Sequence, residues 1–341
     1  MEFPAGSGPR AHVLAYRGRG SIPAESLTHT RGRAVFHGQN EFGRTANLIV
    51  YTDGTANGNA TAQAVMNSGE ADFQATQAWF GGISLPAGHE GDDQSTPRTA
   101  LPAQVLMDGQ AGGAYHFGCD ATDLYCEPDP NLGTGFMVAE LVEVFEAAIN
   151  NGWQCGKTNG EALSRVLATE RNGNIAQLQV QTGQAWWANG RKDYVTTNDA
   201  SDQDENSNGC GPLFLYYLHT QLGFDWRTIT TTGGATLGET YQKLTGNSPA
   251  QGFQDFMDRL ATLDSGGGLQ LPQNGNPFPI GATAQPPAGS GGAPTSTSSD
   301  GNVSIPVPTG RGFGGAIATL ALLVIVVIAL IILNAMGIVT F

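Results

Sequence analysis

The sequence predicts an α+β domain, then a flexible stalk, then one C-terminal transmembrane helix. Three observations support this prediction. Strand-like and helix-like segments are mixed through residues 33–265. Residues 266–312 are dominated by Gly, Pro, Ser and Thr, and residues 313–337 are almost entirely aliphatic. The preceding residues 1–32 contain no apolar run of the length that a signal peptide needs, so we expect them to be an N-terminal extension.

The composition restricts the partners. A formal net charge of −14 over 341 residues argues against a nucleic-acid partner, because phosphate binding needs a basic surface. Only 13% of the residues are charged, so the surface must be rich in neutral polar side chains. The sequence identifies no protein or peptide partner.

The first elements alternate between strand and helix. Residues 46–51 carry the β-branched and aromatic side chains of a strand that ends at the turn Asp53-Gly54. Residues 61–80 place apolar side chains at helical spacing, and Gly81 and Gly82 then end that helix. A second strand follows at residues 102–108.

The next segment is Gly-rich and aromatic at residues 112–125, which predicts an edge strand or a hairpin. A helix then starts near Thr134, an acceptable N-cap, and ends at Asn150. The remaining predicted elements are helices, which together form a C-terminal helical subdomain: residues 160–170, 211–222, 237–244 and 252–263.

The C-terminal segment predicts the lipid bilayer as a partner. As a helix, residues 316–337 would be roughly 33 Å long, which matches a hydrocarbon core of about 30 Å. We therefore expect a single-pass, tail-anchored membrane protein. Arg311 is the one basic residue beside this segment and only faintly favours a cytoplasmic domain, so the side of the membrane stays open.

The four cysteines are Cys119, Cys126, Cys155 and Cys210. Cys119 and Cys126 are close enough in sequence to form a local disulfide, which would leave Cys155 and Cys210 as a second pair. The sequence supports two disulfides and four buried free thiols equally.

Carboxylates form the main candidate site. Glu140, Glu143 and Glu146 lie one turn apart on the predicted helix, and Glu161 lies on the next helix. His116, in the predicted edge strand, is the histidine best placed to join them as a metal ligand or an acid, and the alternative is a polar, half-exposed histidine of the hairpin. Two interpretations stay open: the glutamates are the solvated face of an amphipathic helix, or they converge and require a raised pKa or a cation.

The order of these motifs resembles the zincin-like fold of gluzincin metallopeptidases. In the H-E-x-x-H motif of that family, two histidines bind zinc, the glutamate is the general base, and a downstream glutamate is the third ligand. Here the corresponding residues are Ala139-Glu140-Leu141-Val142-Glu143, and Asn159-Gly160-Glu161 matches the downstream motif. The resemblance implies Glu140 as the catalytic residue of an active enzyme, and Glu143 and Glu161 as metal ligands.

Ala139 cannot bind metal, and Glu143 replaces the second imidazole, so such a site should hold zinc poorly and suit harder cations. We therefore expect a membrane-anchored pseudopeptidase without a resident cofactor, acting as a binding or structural module, although a weakly held divalent cation is compatible with the site. The alternative is a hydrolase that uses Glu140, Glu143 and Glu161.

Overall fold

The computed structural model describes residues 11–13, 39–87, 99–109, 111–200, 204–264, 266 and 268–278. Within them the fold is α+β, as predicted, with a small mixed sheet and eight helices. The strands are β1 (Ala11–Val13), β2 (Asn40–Arg44), β3 (Leu48–Thr52), β4 (Ala103–Met107), β5 (Ala114–Phe117) and β6 (Asp123–Cys126). The helices are α1 (Ala56–Trp79), α2 (Gly133–Ile149), α3 (Thr158–Arg171), α4 (Ala176–Ala188), α5 (Glu205–Tyr216), α6 (Trp226–Thr232), α7 (Leu237–Thr245) and α8 (Pro249–Ala261).

The six strands lie in the order β1-β5-β6-β4-β3-β2. The central strands β3, β4 and β6 are parallel, whereas β2 and β5 run antiparallel to their neighbours. The predicted hairpin exists as β5 and β6, but β5 is not an edge strand, because β1 pairs with its other side. The prediction missed β1, a strand of three residues within the N-terminal extension.

Helix α1 connects β3 to the parallel strand β4 and begins earlier than its apolar residues suggest. The hydroxyl of Thr55 accepts a hydrogen bond from the backbone N–H of Gly58, so the helix starts at an N-cap rather than at the first apolar position. Its C-terminal end lies at Phe80, next to the predicted terminating residue Gly81, whose φ is +76°.

Helix α2 is the central element of the domain. Its residues 135–146 are buried around the whole circumference, and Phe145 packs against Phe73 and Phe80 at ring-centroid distances of 5.5 and 5.6 Å. The prediction of Thr134 as the N-cap is wrong, because the helix begins at Gly133. The Thr134 hydroxyl instead accepts a hydrogen bond from the Asn172 side chain. The predicted end is confirmed: Asn150 adopts the left-handed conformation, which asparagine tolerates.

The helical second half packs on α2 through α3. Helix α4 was not predicted, because its glutamines interrupt the apolar periodicity. The packed chain also continues past residue 265, where the stalk was predicted to begin, since Leu269 and Phe278 are buried in the hydrophobic core.

No helix among the residues that the structure describes is long and apolar enough to cross a membrane. The predicted transmembrane helix at 313–337 and the stalk from residue 279 onward lie outside the described residues.

Candidate functional site

The three glutamates of α2 are inside the protein. Glu140, Glu143 and Glu146 are at most 1% exposed, so they are not the solvated face of an amphipathic helix. A spacing of three residues places them along one side of α2. Because α2 is covered on all sides, that side is enclosed by neighbouring elements rather than by water.

His116 brings an imidazole to this group from β5. Its ring is fully buried, and Nε2 lies 3.2 Å from Oε2 of Glu143 and 3.9 Å from Oε2 of Glu140. The structure therefore places His116 beside the glutamates, where the sequence had offered it as a candidate ligand.

The other ring nitrogen fixes the tautomer of His116. Nδ1 lies 3.1 Å from the backbone oxygen of Ala121, which can only accept a hydrogen bond, so Nδ1 carries a hydrogen and donates it. In the neutral ring, Nε2 is then an acceptor that faces the carboxylate of Glu143. Two acceptors at 3.2 Å repel each other, so a proton or a cation must lie between them.

Glu161 comes from the first turn of α3. Its carboxylate accepts a hydrogen bond from the backbone N–H of Gly156 at 3.3 Å and forms an ion pair with Arg165 at 3.5 Å. Both Glu161 and Arg165 are at most 2% exposed. Glu161 therefore has a buried positive charge beside it.

Glu146 lies electrostatically between Glu143 of α2 and Glu161 of α3. It is fully buried, and neither of its carboxylate oxygens has a hydrogen-bond partner among the described residues. Burial, followed by the negative charges of Glu143 and Glu161, raises the pKa of Glu146 well above its usual value. These two charges act on Glu146 together, so the site is one electrostatic unit.

We call His116, Glu140, Glu143, Glu146 and Glu161 the acidic cluster. Its four carboxylates exceed the positive charge that Arg165 and a protonated His116 supply. Uncompensated buried charge is costly, so the acidic cluster must take up protons or a cation. Sequence analysis had given Glu146 no ligand or catalytic role and had not assigned Arg165 to this site, although both continue the one-turn spacing of Glu143 and Glu161 on their helices.

The spacing of the donor atoms suits a metal ion. Bonds of about 2.0–2.2 Å to a tetrahedral ion place neighbouring ligand atoms roughly 3.3–3.6 Å apart. The distances from Nε2 of His116 to the nearest oxygens of Glu143 and Glu140, 3.2 and 3.9 Å, bracket this range. The Nδ1 hydrogen bond to a carbonyl is also the arrangement that orients metal-binding histidines. Ala139, by contrast, lies in the hydrophobic core and offers no ligand atom.

The predicted cysteine pairs are wrong. Cys119 forms its disulfide with Cys155, and Cys126 and Cys210 are buried free thiols. Cys126 lies on β6 inside the core, where burial, and then the charge of Glu140, raise the pKa of its thiol well above the usual value. The chain fold brings together the loop after β5 and the loop after α2, a proximity that the sequence spacing does not reveal.

The disulfide lies at the edge of the acidic cluster. One ligand atom from each of His116, Glu143 and Cys155 can be chosen so that all three lie within 4.8 Å of one another.

A surface cavity of about 590 Å³ exists elsewhere, between Trp187, Arg191 and Asp264, and none of its lining residues belongs to the acidic cluster.

Comparison of the chain with protein-family models, with curated proteins and with solved structures finds no match. The resemblance to gluzincins therefore has no support from relatives.

Proposed function

We propose that this chain is a non-catalytic, zincin-like binding domain in which the acidic cluster holds a divalent cation. One observation carries the proposal: Nε2 of His116 lies 3.2 Å from the Glu143 carboxylate and 3.9 Å from the Glu140 carboxylate. A cation between these atoms would replace repulsion with three coordinate bonds.

The donor set limits the choice of ion. His116 supplies one imidazole, and the glutamates supply carboxylate oxygens, a mixture that suits first-row divalent ions such as Mn²⁺ and Zn²⁺ better than Mg²⁺ or Ca²⁺. Glu161, and Glu146 when it is ionised, would add negative charge around the ion, since both act electrostatically within the same group.

Burial favours a binding role over hydrolysis. Glu140 is 1% exposed, so a peptide bond would need a substantial opening of the domain to reach it. A general base must come within hydrogen-bond distance of the proton that it removes. The hydrolase alternative would replace our proposal if the purified protein showed a hydrolytic activity that Glu140→Gln abolished and that the exposed control Glu205→Gln preserved.

Cation titration of the oxidised, chelator-treated full-length protein tests the proposal. At a free Mn²⁺ or Zn²⁺ concentration of 100 times the dissociation constant, binding should stabilise the fold by about 2.7 kcal/mol, which raises the melting temperature by about 5–11 °C. Mg²⁺ at the same concentration should have a smaller effect.

Two variants locate the ion. Glu143→Gln keeps the side-chain shape and should reduce the shift in melting temperature by more than half. Glu205→Gln is the matched control, because Glu205 is an exposed glutamate outside the acidic cluster. If neither Mn²⁺ nor Zn²⁺ stabilises the protein and neither is present after purification, shared protons neutralise the cluster and the proposal is wrong.

A further inference from the structure

The Cys119–Cys155 disulfide is connected to the acidic cluster from both sides. Cys119 lies in the loop whose residue Ala121 accepts from the His116 ring, and Cys155 directly precedes Gly156, which donates to Glu161. A sulfur, an imidazole and a carboxylate thus meet within 4.8 Å at His116, Glu143 and Cys155. In the oxidised protein that sulfur is bonded to Cys119 and is a poor ligand.

We propose that this disulfide is a redox control on the cation site: its reduction supplies the Cys155 thiolate as an additional ligand and shifts the preference of the site toward zinc. The inference rests on the proposed function, because it assigns a regulator to the same site. Thiolate is a soft ligand that Zn²⁺ binds strongly and Mn²⁺ binds weakly. Reduction should therefore change the affinity for these two ions by different factors.

The exposure of the two cysteine residues sets the direction of the reaction. Cys119 is half-buried, whereas Cys155 is 7% exposed. One thiolate of a small dithiol attacks Sγ of Cys119, the S–S bond breaks, and its electron pair leaves on Sγ of Cys155. The second thiol of the reagent then attacks the mixed disulfide and releases Cys119.

The step is balanced. The dithiol loses two electrons and becomes a cyclic disulfide, while the protein disulfide gains those two electrons. Of the two protons of the dithiol, one ends on Cys119 and the other is released to solvent, because Cys155 remains a thiolate on the cation.

Cobalt(II), a spectroscopic substitute for zinc, tests this assignment in the full-length protein, because thiolate ligation produces a sulfur-to-cobalt charge-transfer absorption. We expect this absorption in the reduced wild type, after anaerobic removal of the dithiol, and in Cys119→Ser without any reductant. We expect none in the oxidised wild type or in Cys155→Ser. The two serine variants lose the same disulfide, so each is the stability control of the other.

Competition with a chelating dye gives the second measurement. Reduction should strengthen Zn²⁺ binding by the wild type at least tenfold, change Mn²⁺ binding less than threefold, and leave Zn²⁺ binding by Cys155→Ser unchanged. Absence of the charge-transfer absorption from Cys119→Ser, or its presence in Cys155→Ser, would overturn the inference.

The same data separate this inference from the proposed function. If oxidised protein binds Mn²⁺ but reduction adds no thiolate signal, the redox control is wrong and the cation site stands. If oxidised protein binds neither Mn²⁺ nor Zn²⁺ and reduced protein binds Zn²⁺ with the signal, the redox assignment stands and the proposed function of the oxidised site is wrong.

Discussion

Replacement of Glu146 by glutamine should stabilise the cation-free protein in a pH-dependent way. The glutamate is fully buried without a hydrogen-bond partner among the described residues, and burial together with Glu143 and Glu161 raises its pKa above the usual 4.5. Glutamine has nearly the shape of the protonated acid and does not ionise. The variant therefore reproduces the form that the folded protein prefers.

The sign follows from proton binding. Above pH 4.5 the unfolded chain has released the Glu146 proton while the folded protein still holds it. The free energy of unfolding then falls as pH rises, by at most about 1.4 kcal/mol per pH unit for one group. Between pH 5 and pH 7 the loss reaches at most about 2.7 kcal/mol. Glu146→Gln should equal the wild type below pH 4.5 and exceed it by a growing margin at higher pH.

Urea unfolding of chelator-treated protein across this pH range measures the difference, and the exposed residue Glu205 provides the control variant Glu205→Gln. Saturating Mn²⁺ should reduce the advantage of the glutamine variant, because a cation compensates the charge. Parallel pH profiles for Glu146→Gln and the wild type would refute the reasoning, since they would mean that Glu146 titrates alike in both states.

Two further predictions concern the packing around the site and the C-terminus. Gly160→Ala should lower the free energy of unfolding, measured with urea, by about 1–3 kcal/mol, because the added Cβ would lie 2.3 Å from the Gln154 backbone oxygen. Gly173→Ala is the control: open space surrounds Gly173, so this variant should change the free energy of unfolding by less than about 0.5 kcal/mol. A chain truncated before Arg311 should stay soluble without detergent and keep the melting temperature of the full-length protein in detergent, because the sequence predicts residues 313–337 as the membrane span. Aggregation of the truncated chain beside a soluble full-length monomer would contradict this prediction.

The sequence predicted the elements that carry the acidic cluster better than the environment of that cluster. Helix α2 and its end at Asn150 were predicted from the sequence, and the left-handed conformation of Asn150 agrees with that end. The burial of Glu140 and Glu143 could not be predicted, because a three-residue spacing of glutamates is also typical of a solvated helix face. Only the packing of α3 and β5 on that face decides between the two.

The disulfide shows a second limit. Sequence separation favoured Cys126 as the partner of Cys119. In the structure, however, Cys119 lies in the turn between β5 and β6, whereas Cys126 ends β6 and is inside the core. The pairing with Cys155 depends on where the loop after α2 passes the loop after β5, which is a tertiary property. The polar strand β2 and the glutamine-rich helix α4 were missed for a local reason, since neither has a regular apolar pattern.

The Cys119–Cys155 bond closes a covalent ring with a sequence separation of 36 that contains the whole of β6 and α2. In the chain-entropy model a ring of this size restrains the unfolded chain by about 4 kcal/mol. A metal ion bridging His116, Glu143 and Cys155 would join the same two loops that the disulfide joins. Because the oxidised site already holds the cation, only the additional affinity gained on reduction offsets the lost bond, and a tenfold gain for Zn²⁺ is worth about 1.4 kcal/mol. The coordinate cross-link would therefore restore about a third of the stability that the covalent one supplies, and the reduced domain should unfold more easily than the oxidised one.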